Sequence, residues 1–204
     1  MKSRLCPILF LTVFALRLWA QAPAPDFPNG DFSADPQGKD VVITAPLWVS
    51  DTQSIMNWRV FNANSAAQSF SATLVEGPDG GNAIELNATG VARPGEVGID
   101  RNESKIEVAP GVKYDITYQA EYVSGAGSLW VLIQEFDGSA QPIGTAINHP
   151  VNVTDKTFKE FTIHNWQAQT ADVAQFNIAF LPMPATPTGQ YAVRVARIAI
   201  KVAQ

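Results

Sequence analysis

The chain carries a single cysteine, Cys6, and only two histidines, His149 and His164. Cys6 sits in an N-terminal segment that reads as removable. A disulfide, a thiol nucleophile and a cysteine-ligated metal are therefore excluded from the folded part. Two isolated histidines leave little material for a Ser-His-acid triad, and no GxSxG elbow accompanies them. No HExxH or similarly spaced set offers zinc ligands. His149 precedes Pro150 and reads as a loop histidine, while His164 ends a strand at Ile163-His164-Asn165-Trp166. Also missing are a block of like charge, an internal repeat and a sustained helical period.

The one long apolar run spans residues 5–19, behind Lys2 and Arg4 and ahead of the small-residue site Ala20-Gln21-Ala22. That is the layout of a secretory signal peptide over residues 1–22. Pro23-Ala24-Pro25 follows at once, and the run is too short for a membrane span. The expectation is an exported protein, periplasmic or extracellular, with no membrane anchor after cleavage. A short Pro-rich linker at 23–28 and a single domain at 29–204 make up the rest. The leader takes three of the 14 basic residues and none of the 19 acidic ones, so 11 − 19 gives the remainder a net charge of −8. Nucleic acid and anionic lipid, which need basic surfaces, are not expected partners.

What remains is a succession of short runs in which apolar and polar residues alternate between turn residues, the signature of an antiparallel β-sandwich. Strands are predicted at 40–45, 69–75, 83–88, 105–108, 114–123, 129–136, 157–163, 174–181 and 191–202. Gly77-Pro78-Asp79-Gly80-Gly81 and Pro110-Gly111 break the chain, and Pro182, Pro184 and Pro187 fill the last long loop.

The stretch 114–137 carries the most information. Tyr114, Ile116, Tyr118, Ala120 and Tyr122 alternate with Asp115, Thr117, Gln119 and Glu121. Leu129, Val131 and Ile133 alternate with Trp130, Leu132 and Gln134. Ser124-Gly125-Ala126-Gly127-Ser128 between them reads as a hairpin turn. In such a hairpin Thr117, Gln119 and Glu121 share a face with Trp130 and Gln134. An indole stacks on the apolar face of a pyranose while amides and carboxylates bond its hydroxyls. On a second strand Gln175 and Asn177 alternate with Phe176 and Ile178 and are candidates for the same surface, as are Glu160 and Thr162. Each also has a plainer reading, an ordinary wet sheet face, and Trp130 beside Leu132 fits a second buried layer equally well. Trp58 reads as core or as a ligand contact, and Trp48 and Trp166 as rim or core. Asn87, Asn102 and Asn152 each head a glycosylation sequon.

Five landmarks occur in order: Asn29-Gly30-Asp31-Phe32, Trp58, the strand Gly81-Asn82-Ala83-Ile84-Glu85-Leu86, Pro110-Gly111-x-x-Tyr114 and a closing strand from Val193 to Val202. Together they resemble carbohydrate-binding modules of the family four, nine and twenty-two type. The resemblance implies an all-β, galactose-binding-like jelly roll and a polysaccharide or oligosaccharide partner bound without a chemical step; a monomer is expected. Such modules often hold a structural calcium through an acid after NGxF and carboxylates in the last strand. Here Ser33 follows Phe32, and the last strand reads Arg194-Val195-Ala196-Arg197-Ile198. Asp31 is one possible ligand, but Arg197 would repel the ion. Calcium is disfavoured, and no cofactor is expected.

Two other function classes stay open. One is a structural or adhesive sandwich that binds a protein partner. The other is a small glycosidase or lyase, for which Glu121 and Glu135 are the acids to watch. They fall on opposite faces in the alternation unless a bulge intervenes, so no catalytic pair is assigned.

Overall fold

A computed structural model describes residues 24–44, 55–63, 66–93, 95–101 and 104–204. The expected signal peptide, Trp48, Asn102 and Glu103 lie outside the described residues. Among those described there are twelve strands and no α-helix. They are β1 (Asp40–Thr44), β2 (Arg59–Asn62), β3 (Ser69–Glu76), β4 (Asn82–Thr89), β5 (Val97–Asp100) and β6 (Ile106–Glu107). They continue with β7 (Lys113–Gly125), β8 (Gly127–Phe136), β9 (Pro142–Val151), β10 (Lys159–Gln167), β11 (Gln175–Pro184) and β12 (Gln190–Val202).

The strands form two antiparallel sheets, the all-β sandwich that the alternation predicts. One runs β1-β3-β4-β12-β7-β10 and the other β2-β5-β11-β8-β9, with β6 also pairing to β11. The core lies between them. Leu74, Ile84, Leu86, Ile116, Tyr118, Val193 and Val195 come from the first sheet, Val60, Ile99, Val131, Ile133, Ile178 and Phe180 from the second, and all are buried. Because strand side chains alternate, β3 and β7 of the first sheet turn a more exposed row outward, whereas β5 and β11 of the second sheet are buried on both faces.

The predicted hairpin does not exist. β7 pairs with β12 and β10, whereas β8 pairs with β11 and β9. The glycine-rich segment carries the chain from one sheet to the other, with only Ala126 between the two strands. Its glycines are required by close approach. A Cβ on Gly125 would sit 2.0 Å from the Gln190 carbonyl oxygen, and one on Gly127 would sit 2.2 Å from that of Met183. Gly125 also has φ near +83°. The two glycines let one short linker pass against β12 and then β11 without a side chain in the way.

At one end of the sandwich Trp58 is fully buried, and its Nε1 donates to the Asn29 carbonyl at 3.0 Å. Phe27, Phe32 and Phe180 pack around it with ring centroids 5.4 to 6.1 Å away. The Arg101 guanidinium lies against both Phe27 and Trp58, 4.7 and 5.4 Å from the ring centres, and donates to the Pro28 carbonyl at 2.6 Å. Burial pushes this guanidinium down to about 10, with Asp26 acting in the opposite sense. The NGDF landmark is therefore a lid on the core end. Asn29 tethers it through Nδ2 to the Met56 carbonyl at 2.7 Å, and Asn82 donates to the carbonyls of Phe32 and Asp35. Trp166 is also core, 4.6 Å from the Phe176 ring.

Candidate functional site

Cross-strand register places two outward rows on the second sheet. Arg59 faces Asp100, Asp100 faces Ala179, Ala179 faces Leu132, and Leu132 faces Asn148. In the adjacent row Phe61 faces Gly98, and Leu181, Trp130 and Pro150 continue it. Gln134 faces Asn177 on the same side. Between these rows lies a cleft of about 310 Å³ whose lining includes Arg59, Phe61, Glu96, Asp100, Asn177 and Leu181.

The cleft has an apolar and a polar part. Phe61, Ala63, Ala179 and Leu181 form a small buried cluster outside the main core, with Trp130 and Leu132 packed against it. Trp130 is half-buried, its Nε1 donating to Ser128 Oγ at 3.0 Å. On the polar side Arg59 and Asp100 form a two-pronged ion pair, Nε to Oδ1 at 2.9 Å and Nη2 to Oδ2. The guanidinium also lies over the Phe61 ring, 5.3 Å from its centre. Asn177 is buried and its Oδ1 accepts the Arg101 backbone N–H at 2.8 Å. Gln134 Nε2 donates to the carbonyls of Glu135 and Ile143 at 3.0 and 3.1 Å. The amide side chains are thus held by backbone partners, which fixes their orientation on the sheet.

Four of the seven residues predicted for the surface, Trp130, Gln134, Gln175 and Asn177, come from the two central strands of this sheet. Thr117, Gln119 and Glu121 do not join them. Their strand belongs to the other sheet, and they face outward on the opposite side of the sandwich with Thr162 and Glu160. Glu121 is engaged there with Arg194 at 3.4 Å, and Arg194 also bonds Glu85 at 2.9 Å. The acids Glu121 and Glu135 stand apart for the same reason. Glu135 is buried on the second sheet beyond a β8–β9 bulge, accepting the Gln169 N–H at 3.1 Å. Arg59, Phe61 and Asp100 were not among the candidates, because β2 and β5 escaped the alternation pattern. The only trace of them in the sequence is the polar-apolar order Trp58-Arg59-Val60-Phe61 after a landmark tryptophan.

Around the position expected for calcium, the charged side chains are engaged with protein partners. Asp35 Oδ1 takes the Lys39 ammonium at 2.6 Å, and its Oδ2 takes the Met56 N–H at 2.6 Å. Asp31 Oδ1 accepts both the backbone N–H and the hydroxyl of Ser33, which holds its carboxyl below the ordinary value. Arg197 pairs with Asp79 at 2.6 Å. No group of three or more His, Cys, Asp or Glu gathers into a metal-binding cluster among the described residues.

No protein-family model matches this sequence, and no curated protein does. Solved structures do match in fold. A family 11 carbohydrate-binding module from Clostridium thermocellum, in complex with a β-1,3-1,4-mixed-linked tetrasaccharide, has a TM-score of 0.53. The two are 17% identical over 83% of this chain and 98% of that one. A cyclase from Fischerella sp. TAU, in complex with 4-(1H-indol-3-yl)butan-2-one, has a TM-score of 0.55 and 13% identity over 90% of this chain and all of its own. An arabinose-bound α-L-arabinofuranosidase scores 0.51 at 10% identity, and this chain spans 26% of its length. The shared feature is the jelly-roll β-sandwich itself, a fold common to carbohydrate-binding modules and to enzymes.

Proposed function

We propose that this chain is an exported, non-catalytic carbohydrate-binding module, of the family four, nine and twenty-two type in its sequence landmarks. It holds a glycan in the cleft of the second sheet. The observation that carries this reading is one outward face on which the half-buried Trp130 packs against the apolar cluster under the cleft, while Asn177 and the Arg59–Asp100 fork line the cleft itself and Gln134 stands opposite Asn177. A pyranose has an apolar face and a hydroxyl rim, and the cleft offers an aromatic-aliphatic side and a fixed polar side to match. Gln134 Oε1 and Asn177 Nδ2 are the atoms left to bond hydroxyls once their scaffold partners are counted. The fold likeness to a module crystallised with a tetrasaccharide supports the ligand class.

Binding without a chemical step fits the carboxylates. Asp100 is forked to Arg59, Glu121 and Glu135 belong to different sheets, and neither forms an acid–base pair across a cleft. An acidic surface fits a neutral glycan as partner better than nucleic acid or anionic lipid. The module acts as a monomer outside the cell.

Retention on polysaccharide-containing gels, with a soluble-glycan array alongside, tests the proposal. At least one neutral glycan should retard the protein, and Trp130→Ala should abolish the retardation with the fold intact. Absence of retention on every glycan would sink the reading. Turnover of a glycan that survives Trp130→Ala but is lost in Glu121→Gln or Glu135→Gln would replace it with an enzyme.

A further inference from the structure

We propose that the open side of the sandwich, between the edge strands β9 and β10, is a second binding site. Its ligand is a small neutral aromatic compound with one hydroxyl or carbonyl group, which hydrogen-bonds the imidazole of His149. The site is separate from the cleft. Along β9, Asn148 and Pro150 face outward toward the cleft side, so His149 between them points inward.

An inward row crosses the whole second sheet: Val60 faces Ile99, Ile99 faces Phe180, Phe180 faces Val131, and Val131 faces His149. The first four are fully buried apolar residues of the core. The row therefore ends in a polar ring where apolar packing would continue. The Nε2 atom of that ring is buried and has no hydrogen-bond partner among the described residues. A buried nitrogen without a partner is a cost to the fold, and a ligand that supplies the missing bond recovers it.

The opposite wall is aromatic. On the first sheet Tyr118 faces Phe161, and their rings stack with centroids 5.5 Å apart and planes 17° from parallel. Pro150, Val151 and Ile163 add to the apolar lining, and Asn148, Thr162 and His164 to the polar lining, of a cavity of about 440 Å³. That is within the ~300–1,000 Å³ of small-molecule sites. Among the described residues no Lys, Arg, Asp or Glu lines it, so a charged ligand would enter without a counterion. Burial also favours the uncharged imidazole, since it lowers the His149 pKa. At the mouth stands the exposed His164, whose Nδ1 is 3.7 Å from Asp115.

Phenol, with toluene as a partner of similar shape lacking the hydroxyl, tests the site by NMR titration of the histidine ring signals. Phenol should shift the His149 resonances saturably and bind about tenfold more tightly than toluene, the worth of one hydrogen bond. His149→Leu should erase that preference. Ile163→Trp, which fills the mouth, should abolish phenol binding and leave glycan retention as it was. If Ile163→Trp does not fold, His149→Leu alone decides. His149 signals that stay unmoved by phenol, equal affinity for phenol and toluene, or a preference that survives His149→Leu would each overturn the proposal.

Discussion

Arg59 and Asp100 face each other across the β2–β5 pair and close a two-pronged ion pair at one side of the outer cleft. The Arg59 side chain is 15% exposed and that of Asp100 is 4% exposed. Charges so nearly removed from water hold only when both partners and their geometry are present. Asp100→Ala takes the fork from Arg59 and should cost about 2–3 kcal/mol of stability. Arg59→Met combined with Asp100→Leu should recover much of that loss, because an apolar pair of similar volume avoids the desolvation cost. Urea unfolding of the two variants measures both effects.

Trp130 and Glu121 give opposite outcomes because they lie on opposite outer faces. Trp130→Ala removes half-buried contact area from Leu132 and the cluster around Leu181, at a cost of about 1–2 kcal/mol. It should also abolish glycan retention. Glu121→Gln leaves Arg194 its bond to Glu85 and should change stability by less than about 1 kcal/mol. Retention should be unaltered, since Glu121 is on the far side of the sandwich. Loss of retention in Glu121→Gln at full stability would move the site to the first sheet.

The titration of His149 has a definite sign. Burial lowers its pKa from the ordinary 6.5, so the unfolded chain takes up a proton before the native one does. Its contribution to stability is whole above about pH 6.5 and declines as pH falls from there through the native value. Tyr118 inside the cavity, and His164 with Asp115 at its mouth, are the other titratable groups nearby. The melting temperature of the wild-type protein should therefore fall more between about pH 7.5 and pH 5 than that of His149→Leu. Equal falls would mean that His149 titrates in the native state as it does in the unfolded chain.

The alternation that identified β7 and β8 comes from strands with one face against the core, where burial and sequence share a period of two, whereas β11 alternates in polarity at Gln175–Ile178 although it is buried from Phe176 to Met183. Three strands lack that period for separate physical reasons. β5, Val97-Gly98-Ile99-Asp100, is buried at every position, so its two faces do not differ in polarity. β2 is four residues long and buried at its last three. β9 contains Pro142, Gly144 and Pro150, and these are tolerated because it is an edge strand with one unpaired side. With these strands unseen, Arg59 and Asp100 stayed hidden, and His149 read as a loop residue although it lies within a strand. The hairpin failed differently. Glycine in a linker serves a tight turn or a close approach equally well, and only the partners of Gly125 and Gly127 distinguish the two.

Gly30 provides the sharpest test of how the NGDF landmark is seated. A Cβ there would lie 2.3 Å from the Ile198 carbonyl oxygen and 2.6 Å from the Phe27 ring. The backbone has little room to retreat, because the Gly30 carbonyl accepts the Ile198 N–H at 2.9 Å. Ile198 is itself fixed by the β12 irregularity between Ala196 and Ala199, where Arg197 has φ near +49°. The clash is therefore with backbone on one side and with the ring that covers Arg101 on the other. Gly30→Ala should cost at least about 1–3 kcal/mol. Gly138→Ala meets no atom within 4 Å and should change stability by less than about 0.5 kcal/mol. Urea midpoints of the two variants, side by side, check the difference, and equal midpoints would mean that the Asn29–Phe32 segment is not clamped against β12.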